Sequence, residues 1–427
     1  MIQKLGIASL NEMQEEALKA ISNQKEVVLT SPTGTGKTLA YLMPLLKALD
    51  HGYDGVQLLV IVPTRELGIQ TASVIRSLGT GYKTEVVYGG RAISKDKIDL
   101  ATTPSILIGT PGRLADHVRR ESFDCDQIRF LVLDEFDKSL EIGYDDDMEE
   151  ILQDLRYVEK KVLTSATSNI DFPAFVDLQR PHRIDYHDKG GAQLQIWKVL
   201  SPEKDKLATL KETLDHIGSG VGIIFCNYKD SINRISSFLS EAGISHGTYH
   251  GGMEQQDRER ALIKFRNGTH QLLLSTDLAA RGLDIPELSF IIHYHLPHHK
   301  HEFIHRNGRT ARMTSSGSAY VIVWEGDTEL PDFVTTIDPI NLDNTSTWSA
   351  VQSQTLFISG GRKDKISKGD IAGLLIKQGK LAPADVGVIE LKRDCAFVGI
   401  VTDHIDSVVG KVNNTKLKKK KVRVYEI

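Results

Sequence analysis

The chain of 427 residues has few cysteines, no long apolar run and a net charge of only -4. Its three cysteines, Cys125, Cys226 and Cys395, lie far apart, each in or beside an apolar stretch. Because they form neither a disulfide framework nor a zinc pattern, we expect buried thiols. No run of about 18 apolar residues could span a bilayer, and the first residues lack the basic and then apolar pattern of an export signal. These absences argue against a membrane or secreted protein, and we expect a cytoplasmic one.

The nearly neutral charge conceals a basic C-terminal segment. Residues 353–427 hold 15 Lys and Arg against 8 Asp and Glu, a charge of +7, whereas the preceding 352 residues hold 37 against 48, a charge of -11. At roughly 100 to 200 residues per domain, the length predicts two or three domains. A small basic module beside an acidic body favours a polyanionic partner for that module.

A glycine-rich loop is the most informative motif. Residues 31–38 read SPTGTGKT and lie between the apolar run Val27–Leu29 and a helix-like segment that begins at Leu39. Glycines allow backbone N–H groups to turn toward a polyphosphate, and the following helix adds the positive end of its dipole. The Lys37 ammonium can reach the β- and γ-phosphates, and the Thr38 hydroxyl can bind Mg²⁺. The predicted phosphate-binding residues are Ser31, Thr33, Gly34, Thr35, Gly36, Lys37 and Thr38.

Acidic residues follow a second apolar run. Asp134, Glu135 and Asp137 come directly after Phe130–Leu133, where a buried strand would end. Phosphoryl transfer depends chiefly on positioning and on neutralising charge. Asp134 could hold the water shell of Mg²⁺, and Glu135 could orient or deprotonate the attacking water. Together with Lys37, these acids predict a catalytic site for phosphoryl transfer.

Apolar runs alternate with helical segments through two successive stretches, which predicts an α/β fold with parallel sheets. The expected strands are Val27–Leu29, Leu58–Val62, Thr84–Val87, Ile106–Gly109, Phe130–Leu133 and Val162–Thr164, then Gly222–Cys226, Gln271–Ser275, Phe290–His293 and Ala319–Val323. A polar joint near residues 188–191 and a polar linker separate the stretches. We predict domains at 1–186 and 192–337, a linker at 338–353 and a small α+β domain at 354–427.

Further motifs lie across nearly the whole of residues 1–325. They are PTREL at 63–67, GG at 89–90, TPGR at 110–113, SAT at 165–167, HG at 250–251 with Gln255 and Arg258, STD at 275–277, RGLD at 281–284 and HRNGRTAR at 305–312. In these motifs and their order the chain resembles the DEAD-box RNA helicases. The resemblance implies two tandem RecA-like parallel-sheet domains.

The same resemblance implies roles for individual residues. RNA-backbone contacts fall to Thr64, Arg65, Gly90, Thr110, Arg113 and Thr276. The link between hydrolysis and unwinding falls to Asp137, Ser165, Thr167, His305 and Arg306. ATP contacts fall to Asp284 and to Gln14, whose amide can donate to and accept from an adenine edge. Phe136 stands where Ala is usual, but the three carboxylates are kept, so we expect hydrolysis to survive.

Three arginines, at positions 306, 309 and 312, are spaced to fall near one side of a helix. Guanidinium groups stabilise charge on a transferring phosphoryl group. If Arg309 and Arg312 sit across a cleft from Lys37, hydrolysis requires the two domains to close, and RNA gripped by both would promote closure. The motif therefore predicts an ATPase coupled to RNA binding, with Arg309 and Arg312 catalytic.

The tail shows the element order β-α-β-β-α-β of the RNA-recognition-motif (RRM) fold, in which a four-stranded sheet presents aromatic residues to bases. In the segments TLFISGGRK at 355–363 and KGDI at 368–371, it resembles the RNA-binding domain of the DbpA subfamily. That resemblance implies action on ribosomal RNA during large-subunit assembly.

Two features of the tail are candidates for RNA contacts. Phe397, on the third strand, could stack on a base or could be an ordinary core residue. A lysine run could bind phosphates or could merely solubilise the terminus. The run consists of Lys418, Lys419, Lys420 and Lys421.

We therefore predict an ATP-dependent RNA helicase that uses ATP and Mg²⁺ to unwind structured RNA, with an RRM-like domain as its RNA anchor. Two alternatives stay open. The chain could be an RNA-binding or annealing protein that uses ATP as a clamp with little hydrolysis, or it could be a DNA helicase. We expect a monomer, with a dimer through the C-terminal region as the alternative.

Overall fold

The computed structural model describes residues 2–5, 7–32, 34–167, 171–187, 194–276, 285, 288–310, 317–327, 329–342, 346–349, 353–401 and 404–427. The chain forms two compact units. The first covers Met1–Gly191, and the second covers most of the chain after it.

The first unit is built on a seven-stranded sheet whose neighbouring strands are all parallel. Its strands are β1 (Glu26–Thr30), β2 (Leu58–Ile61), β3 (Thr84–Val87), β4 (Ile106–Gly109), β5 (Phe130–Leu133), β6 (Lys160–Ser165) and β7 (His182–Asp185). They lie in the order β3-β4-β2-β5-β6-β1-β7. The interior strands are mostly buried and apolar, as expected for parallel strands that are covered on both faces.

Helices cover both faces of this sheet. They are α1 (Glu12–Asn23), α2 (Lys37–Ala48), α3 (Arg65–Leu78), α4 (Ile93–Leu100), α5 (Pro111–Arg119), α6 (Phe136–Ile142) and α7 (Asp145–Asp154). Alternate strand residues point to opposite faces, so that Val27 and Leu29 lie in one apolar core while Val28 lies in the other. The two cores fix the sheet, and the loops at its carboxyl edge are left to carry polar side chains.

The second unit contains a parallel sheet of six strands in the order β10-β11-β9-β12-β13-β8. The strands are β8 (Leu194–Ser201), β9 (Gly222–Phe225), β10 (His246–Tyr249), β11 (Leu272–Ser275), β12 (Phe290–His293) and β13 (Gly317–Trp324). The described helices are α8 (Leu207–Ile217), α9 (Lys229–Glu241), α10 (Gln255–Arg266), α11 (Lys300–Asn307) and α12 (Asp332–Thr335).

The second unit also contains a small antiparallel sheet in the order β15-β16-β14-β19. Its elements are β14 (Ser353–Ile358), α13 (Lys368–Lys377), β15 (Val386–Leu391), β16 (Ala396–Val401), α14 (Ile405–Val412) and β19 (Val424–Glu426), with a hairpin of β17 (Lys416–Leu417) and β18 (Lys420–Lys421) before the last strand. Both helices pack on one face, where Leu356, Leu374 and Val408 form the core. The other face carries Phe357 and Phe397, whose register on paired strands sets them side by side.

The expected fold class is confirmed: two RecA-like parallel-sheet domains precede a small α+β domain with the expected element order. Five of the described strands escaped the sequence analysis. Three of them, β7, β8 and β10, lie at the edges of the parallel sheets, and the other two, β17 and β18, form the short hairpin of the C-terminal domain. The expectation of buried thiols is correct for Cys226 and wrong for Cys125 and Cys395, which are partly exposed. Within the described ranges, no helix is both long and apolar enough to cross a membrane.

Candidate functional site

Except for Gln14 on α1, the candidate residues of the first unit come at or just after the ends of its parallel strands, so they share the carboxyl edge of the sheet. This edge is where open α/β sheets bind ligands. Strands β5, β6 and β1 are adjacent; β5 and β1 are followed by the candidate ATP residues, and β6 leads to the candidate coupling residues Ser165 and Thr167. Strands β3, β4 and β2 are also adjacent and are followed by the candidate RNA residues. The strand order therefore divides the edge into a nucleotide half and an RNA half.

The loop after β1 has the backbone of a phosphate cradle. Gly34 and Gly36 have φ angles of +83° and +90°, in the left-handed region that favours glycine. The buried Ser31 hydroxyl lies 2.7 Å from that of Thr35, which donates to the Pro32 carbonyl at 2.9 Å. Helix α2 starts directly behind this loop. The loop is thus closed by its own hydroxyl groups at the positive end of a helix.

The Lys37 ammonium is buried beneath the loop. It donates to the carbonyl oxygens of Ser31 and Pro32, the latter at 2.9 Å. Burial lowers the pKa of Lys37 to about 8, and the three carboxylates of the acidic segment oppose that shift. Phosphate oxygens are charged and therefore stronger acceptors than these carbonyls, so the ammonium is placed to exchange partners when a nucleotide binds.

Gln14 contacts the phosphate loop directly. Its Nε2 donates to the Gly36 carbonyl at 3.3 Å, and Asn11 Nδ2 donates to the Thr35 carbonyl at 3.1 Å. Asn11 and Gln14 also cap α1 reciprocally, with backbone-to-side-chain distances of 2.9 and 3.1 Å. The sequence analysis missed this second role, although an Asn followed three residues later by Gln is a capping-box signal.

Asp134 is held by two hydroxyl groups. Its carboxylate accepts from Tyr41 Oη at 2.7 Å and from Thr164 Oγ1 at 2.6 Å. Burial raises the pKa of Asp134, and the Glu135 carboxylate adds to the rise. Neither Tyr41 nor Thr164 was singled out from the sequence, because nothing local links them to the acidic segment.

The donor set suits Mg²⁺. This ion usually takes one or two carboxylates and completes its shell with water and substrate phosphates. The Asp134 carboxylate and the hydroxyl of the half-buried Thr38, at the start of α2, are oxygen ligands of that kind. No group of three or more His, Cys, Asp or Glu that could form an all-protein cage occurs among the residues that the structure describes.

Glu135 occupies a strained backbone position. Its φ is +48°, which is uncommon for a residue other than glycine. The N–H of Glu135 donates to Thr164 Oγ1 at 3.1 Å, and its carboxylate accepts from Lys138 Nζ at 2.7 Å. Among the carboxylates, Glu135 has the largest electrostatic effect on Lys37. Thr164 thus positions both acids of the predicted site.

Asp137 joins the loop after β5 to the loop after β6. Its carboxylate accepts from the N–H of Ala166 at 3.2 Å and from the hydroxyl of Thr167 at 3.4 Å. Ser165 Oγ accepts from the Thr167 N–H at 2.9 Å. The structure therefore brings the predicted coupling residues Asp137, Ser165 and Thr167 together. Their role in coupling stays a prediction.

Phe136 fills the apolar core behind β5. The ring is fully buried, and its centroid lies 6.0 Å from that of Phe172. The core therefore accommodates a phenylalanine ring at a position where the family usually has alanine.

In the RNA half of the edge, one candidate residue has free space beside it, whereas others already contact groups of the protein. Gly90 has a φ of +82°, and no described atom lies within 4 Å of the place that a Cβ would take. Thr64 caps α3, where its hydroxyl accepts from a backbone N–H at 3.3 Å. Arg65 pairs with Glu66 at 2.6 Å, and Thr110 precedes α5.

Arg113 belongs to a buried ion-pair network that the sequence did not reveal. Its Nη1 lies 3.0 Å from Oδ2 of the fully buried Asp96. Arg91 Nη1 and His117 Nε2 approach the same carboxylate at 3.2 and 3.3 Å. Arg113 thus neutralises a buried charge, and its predicted contact with RNA remains a prediction.

The helix that carries the arginine motif ends earlier than expected. It ends at Asn307 with Gly308 as its cap, and the Arg309 N–H donates to the Arg306 carbonyl at 3.1 Å in a turn. Thr310 then forms an isolated β-bridge. The prediction that the arginines share one side of a helix is therefore wrong, because Gly308 is a poor helix former and the bridge redirects the chain.

Arg306 is buried and holds neighbouring segments of the second unit. It donates to the His295 carbonyl at 2.5 Å and to Asn227 Oδ1 at 2.9 Å, and its guanidinium lies 5.0 Å from the Phe225 ring centroid. His305, on the same helix, is also buried. Both are positioned by the core of their own unit.

The other predicted residues of the second unit are less informative. Thr276 follows β11 directly and is half-buried, and Arg309 is buried. Three predicted site residues, Thr33, Asp284 and Arg312, lie outside the described residues.

Several of the candidate RNA-binding residues of the C-terminal domain already contact other residues of that domain. Phe397 is only 8% exposed, and its ring lies 5.5 Å from that of Phe357. Lys418 pairs with Asp370 at 2.8 Å, and Lys420 pairs with Asp364 at 2.7 Å. The exposed side chains of the lysine run that lie outside these pairs are Lys419 and Lys421.

Comparisons with known proteins match this architecture. Residues 11–174 match the DEAD/DEAH box helicase family, residues 205–314 the helicase conserved C-terminal domain, and residues 355–426 the DbpA RNA binding domain. The chain is 29% identical over 458 residues to the ATP-dependent RNA helicase DbpA of Bacillus subtilis, covering 99% of this chain and 96% of that protein. It is 30% identical over 438 residues to DbpA of Escherichia coli, covering 99% and 95%.

A solved structure of Dbp5 from S. cerevisiae, bound to RNA and ADP BeF3, has a TM-score of 0.66 at 27% identity and covers 76% of this chain and 86% of that chain. The chain therefore belongs to the DEAD-box ATP-dependent RNA helicases, a family of RNA-dependent ATPases. Its C-terminal domain is of the DbpA type. The resemblance, the enzyme class and ATP as the nucleotide are confirmed.

Proposed function

We propose that this helicase unwinds short duplexes in ribosomal RNA during assembly of the large ribosomal subunit, in the cytoplasm and as a monomer. The main support is the DbpA-type module at residues 355–426, which is joined to a general helicase core. A motor that lacks sequence preference needs a separate domain to select its substrate. The basic charge of this module suits RNA.

ATP would bind through the loop after β1. The backbone N–H groups of this loop and the Lys37 ammonium would meet the phosphates, and Gln14 lies against the same loop. When bound, Mg²⁺ neutralises charge on the phosphates, and Asp134 with Thr38 would hold it. Glu135, fixed by its backbone and by Thr164, orients the attacking water.

Coupling to RNA would pass through the network of Asp137, Ser165 and Thr167. This network connects the acidic segment to the loop after β6, so a shift of either loop moves the other. Arg309 and Arg312 would supply positive charge to the transition state when RNA closes the two helicase domains.

The test is unwinding of one short RNA duplex, either alone or joined to a fragment of large-subunit ribosomal RNA. The wild-type protein should unwind the joined duplex faster and should not unwind the same duplex made of DNA. Glu135→Gln should still bind ATP and RNA but lose unwinding. Glu150→Gln, which alters a surface ion pair with Arg119, is the matched control and should behave as wild type.

The alternatives give different results. If the protein is an annealing protein that uses ATP as a clamp, the Glu135→Gln variant would still bind and anneal RNA as the wild type does. A DNA helicase would unwind the DNA duplex. Equal unwinding with and without the ribosomal fragment would refute the proposed target.

A further inference from the structure

An open cavity of about 860 Å³, the β10 cavity, lies beside the edge strand β10 and is lined by residues of α9, α10 and the last strand, β19. Its volume is in the range of small-molecule sites. Ser245 and His270 line one end of it and come just before β10 and β11. That end therefore lies at the amino edge of the parallel sheet, opposite the carboxyl edge where Thr276 follows β11.

Two cationic residues of α10 line the β10 cavity. Arg260 and Lys264 are one helical turn apart, on the same side of the helix. Lys264 Nζ has no hydrogen bond or ion pair with any residue that the structure describes. Burial lowers the pKa of Lys264, Glu426 opposes that shift and Arg260 adds to it. A partly buried ammonium without a partner is costly to the folded protein, and an anion in the cavity would compensate it.

The acidic residue that lines the β10 cavity does not cancel these charges. Asp257 Oδ1 lies 3.8 Å from Arg260 Nη1, and the two side chains are 58% and 50% exposed. An exposed pair at this distance is weak. Arg260 can therefore turn to another anion at little cost, and the α10 side of the cavity keeps a net positive charge.

Uncharged polar groups line the β10 cavity near the start of β10. Ser236 Oγ lies 2.8 Å from His246 Nε2, and Ser245 Oγ lies 3.1 Å from His270 Nδ1. The His270 imidazole is neutral at pH 7, because burial lowers its pKa to about 4. Hydroxyl groups and neutral imidazoles both donate and accept hydrogen bonds. They suit the sugar hydroxyls and the base edges of a nucleotide.

An aromatic ring borders the same cavity. Tyr425 of β19 is 46% exposed, and its ring packs against Phe357 with centroids 4.8 Å apart. Phe357 thus supports the ring, while nearly half of the tyrosine stays open to solvent. Aromatic side chains stack on any base, and nucleic-acid grooves combine them with positive charge along the backbone path.

We propose that the β10 cavity binds one nucleotide unit, with its phosphate on Arg260 and Lys264 and its base on Tyr425. An RNA strand and a free nucleotide both carry this chemistry. An acidic peptide would satisfy the cations and leave the ring unused, so the observations favour a nucleotide. The inference goes beyond the proposed function, and its test uses neither ATP nor ribosomal RNA.

The test is photo-cross-linking of the full chain. A short single-stranded RNA that contains thiouridine is irradiated with the protein, and the labelled peptides are quantified by mass spectrometry. We expect label on the peptide that contains Tyr425. Lys264→Gln should lower that label about tenfold, because a charged hydrogen bond to phosphate is lost. Arg234→Gln, on α9 and paired with Asp205, is the matched control and should leave the label unchanged.

Thermal unfolding separates a binding residue from a structural one. Lys264→Gln removes a partly buried charge that has no partner, so its unfolding midpoint should equal or exceed that of the wild type. A structural role would instead lower the midpoint. Arg260→Gln changes a half-exposed side chain and should lower the label as well, so it keeps the test valid if Lys264→Gln folds poorly.

A second photoreactive probe, azido-AMP, distinguishes the two sources of the nucleotide. Label from azido-AMP on the same peptide assigns the β10 cavity to a free nucleotide, and label from the RNA alone assigns it to an RNA strand. A cavity that takes acidic peptides would be labelled by neither probe. Absent label with both probes, or equal label in the wild type and both cavity variants, would overturn the proposal.

Discussion

Burial of His293 predicts that the second unit loses stability in mild acid. This side chain is fully buried at the end of β12, and its Nε2 lies 2.9 Å from Asn307 Oδ1. Burial lowers the pKa of His293 to about 3, and the neighbouring Arg306 guanidinium adds to the effect. In the unfolded chain the pKa of an imidazole is about 6.5.

The sign and the magnitude follow from this difference. Between pH 6.5 and 3 the unfolded state binds more protons at this imidazole than the folded state does. The free energy of unfolding is therefore at its full value above pH 6.5 and decreases as the pH falls. At pH 5 the loss from this one side chain is about 2 kcal/mol. For a domain of this size, that lowers the unfolding midpoint by about 4 to 8 °C. The pKa of His270 and His295, lowered to about 4 mainly by burial, shifts stability in the same direction, but partial exposure reduces their effect.

The assay is thermal unfolding followed by circular dichroism at pH 7 and pH 5. His293→Gln lowers stability at both values, but it cannot titrate, so its midpoint should fall less between them than that of the wild type. His298→Gln, at an exposed position in the same segment, should keep the full pH effect. The same pH effect in His293→Gln and in the wild type would refute the reasoning.

Two further predictions concern buried side chains of the first unit, both measured by urea denaturation. Phe136→Ala introduces the residue that is usual in the family, yet it should lower the free energy of unfolding by about 3 to 5 kcal/mol, because it leaves a cavity where the ring is packed. A loss below about 1 kcal/mol would contradict this packing. Arg113→Ala removes one of the positive charges paired with the buried Asp96 carboxylate and should lower the free energy of unfolding by about 3 kcal/mol or more. The exposed pair of Arg120 with Asp116 is the control, and Arg120→Ala should cost about 0 to 1 kcal/mol; equal losses would show that the Asp96 network is unimportant.

The interior strands of the two parallel sheets could be predicted from the sequence, and so could the edge strand β3, whereas the edge strands β7, β8 and β10 could not. Parallel strands that are buried on both faces need continuous apolar runs, and Ile106–Gly109 or Phe130–Leu133 read that way. The edge strand His182–Asp185 buries only Ile184, and His246–Tyr249 alternates between buried and partly exposed residues. Such segments carry too little apolar signal to be distinguished from loops.

The motifs located the candidate site because each one is local. Its supporting contacts are not local: Tyr41 lies 93 residues from Asp134, and Thr164 lies 30 residues from it. Spacing along the chain carries no information on such pairs. The arginine motif failed for a related reason, since arginine spacing alone ignored Gly308 and the bridge formed by Thr310.

RNA-stimulated ATP hydrolysis by the full chain tests the central claim most directly. Turnover would be measured without nucleic acid, with unstructured RNA, with large-subunit ribosomal RNA and with DNA of the same sequence. We predict that RNA raises turnover, that ribosomal RNA raises it most, and that DNA leaves it unchanged. Turnover that is absent in every condition, or equally stimulated by DNA, would contradict the account.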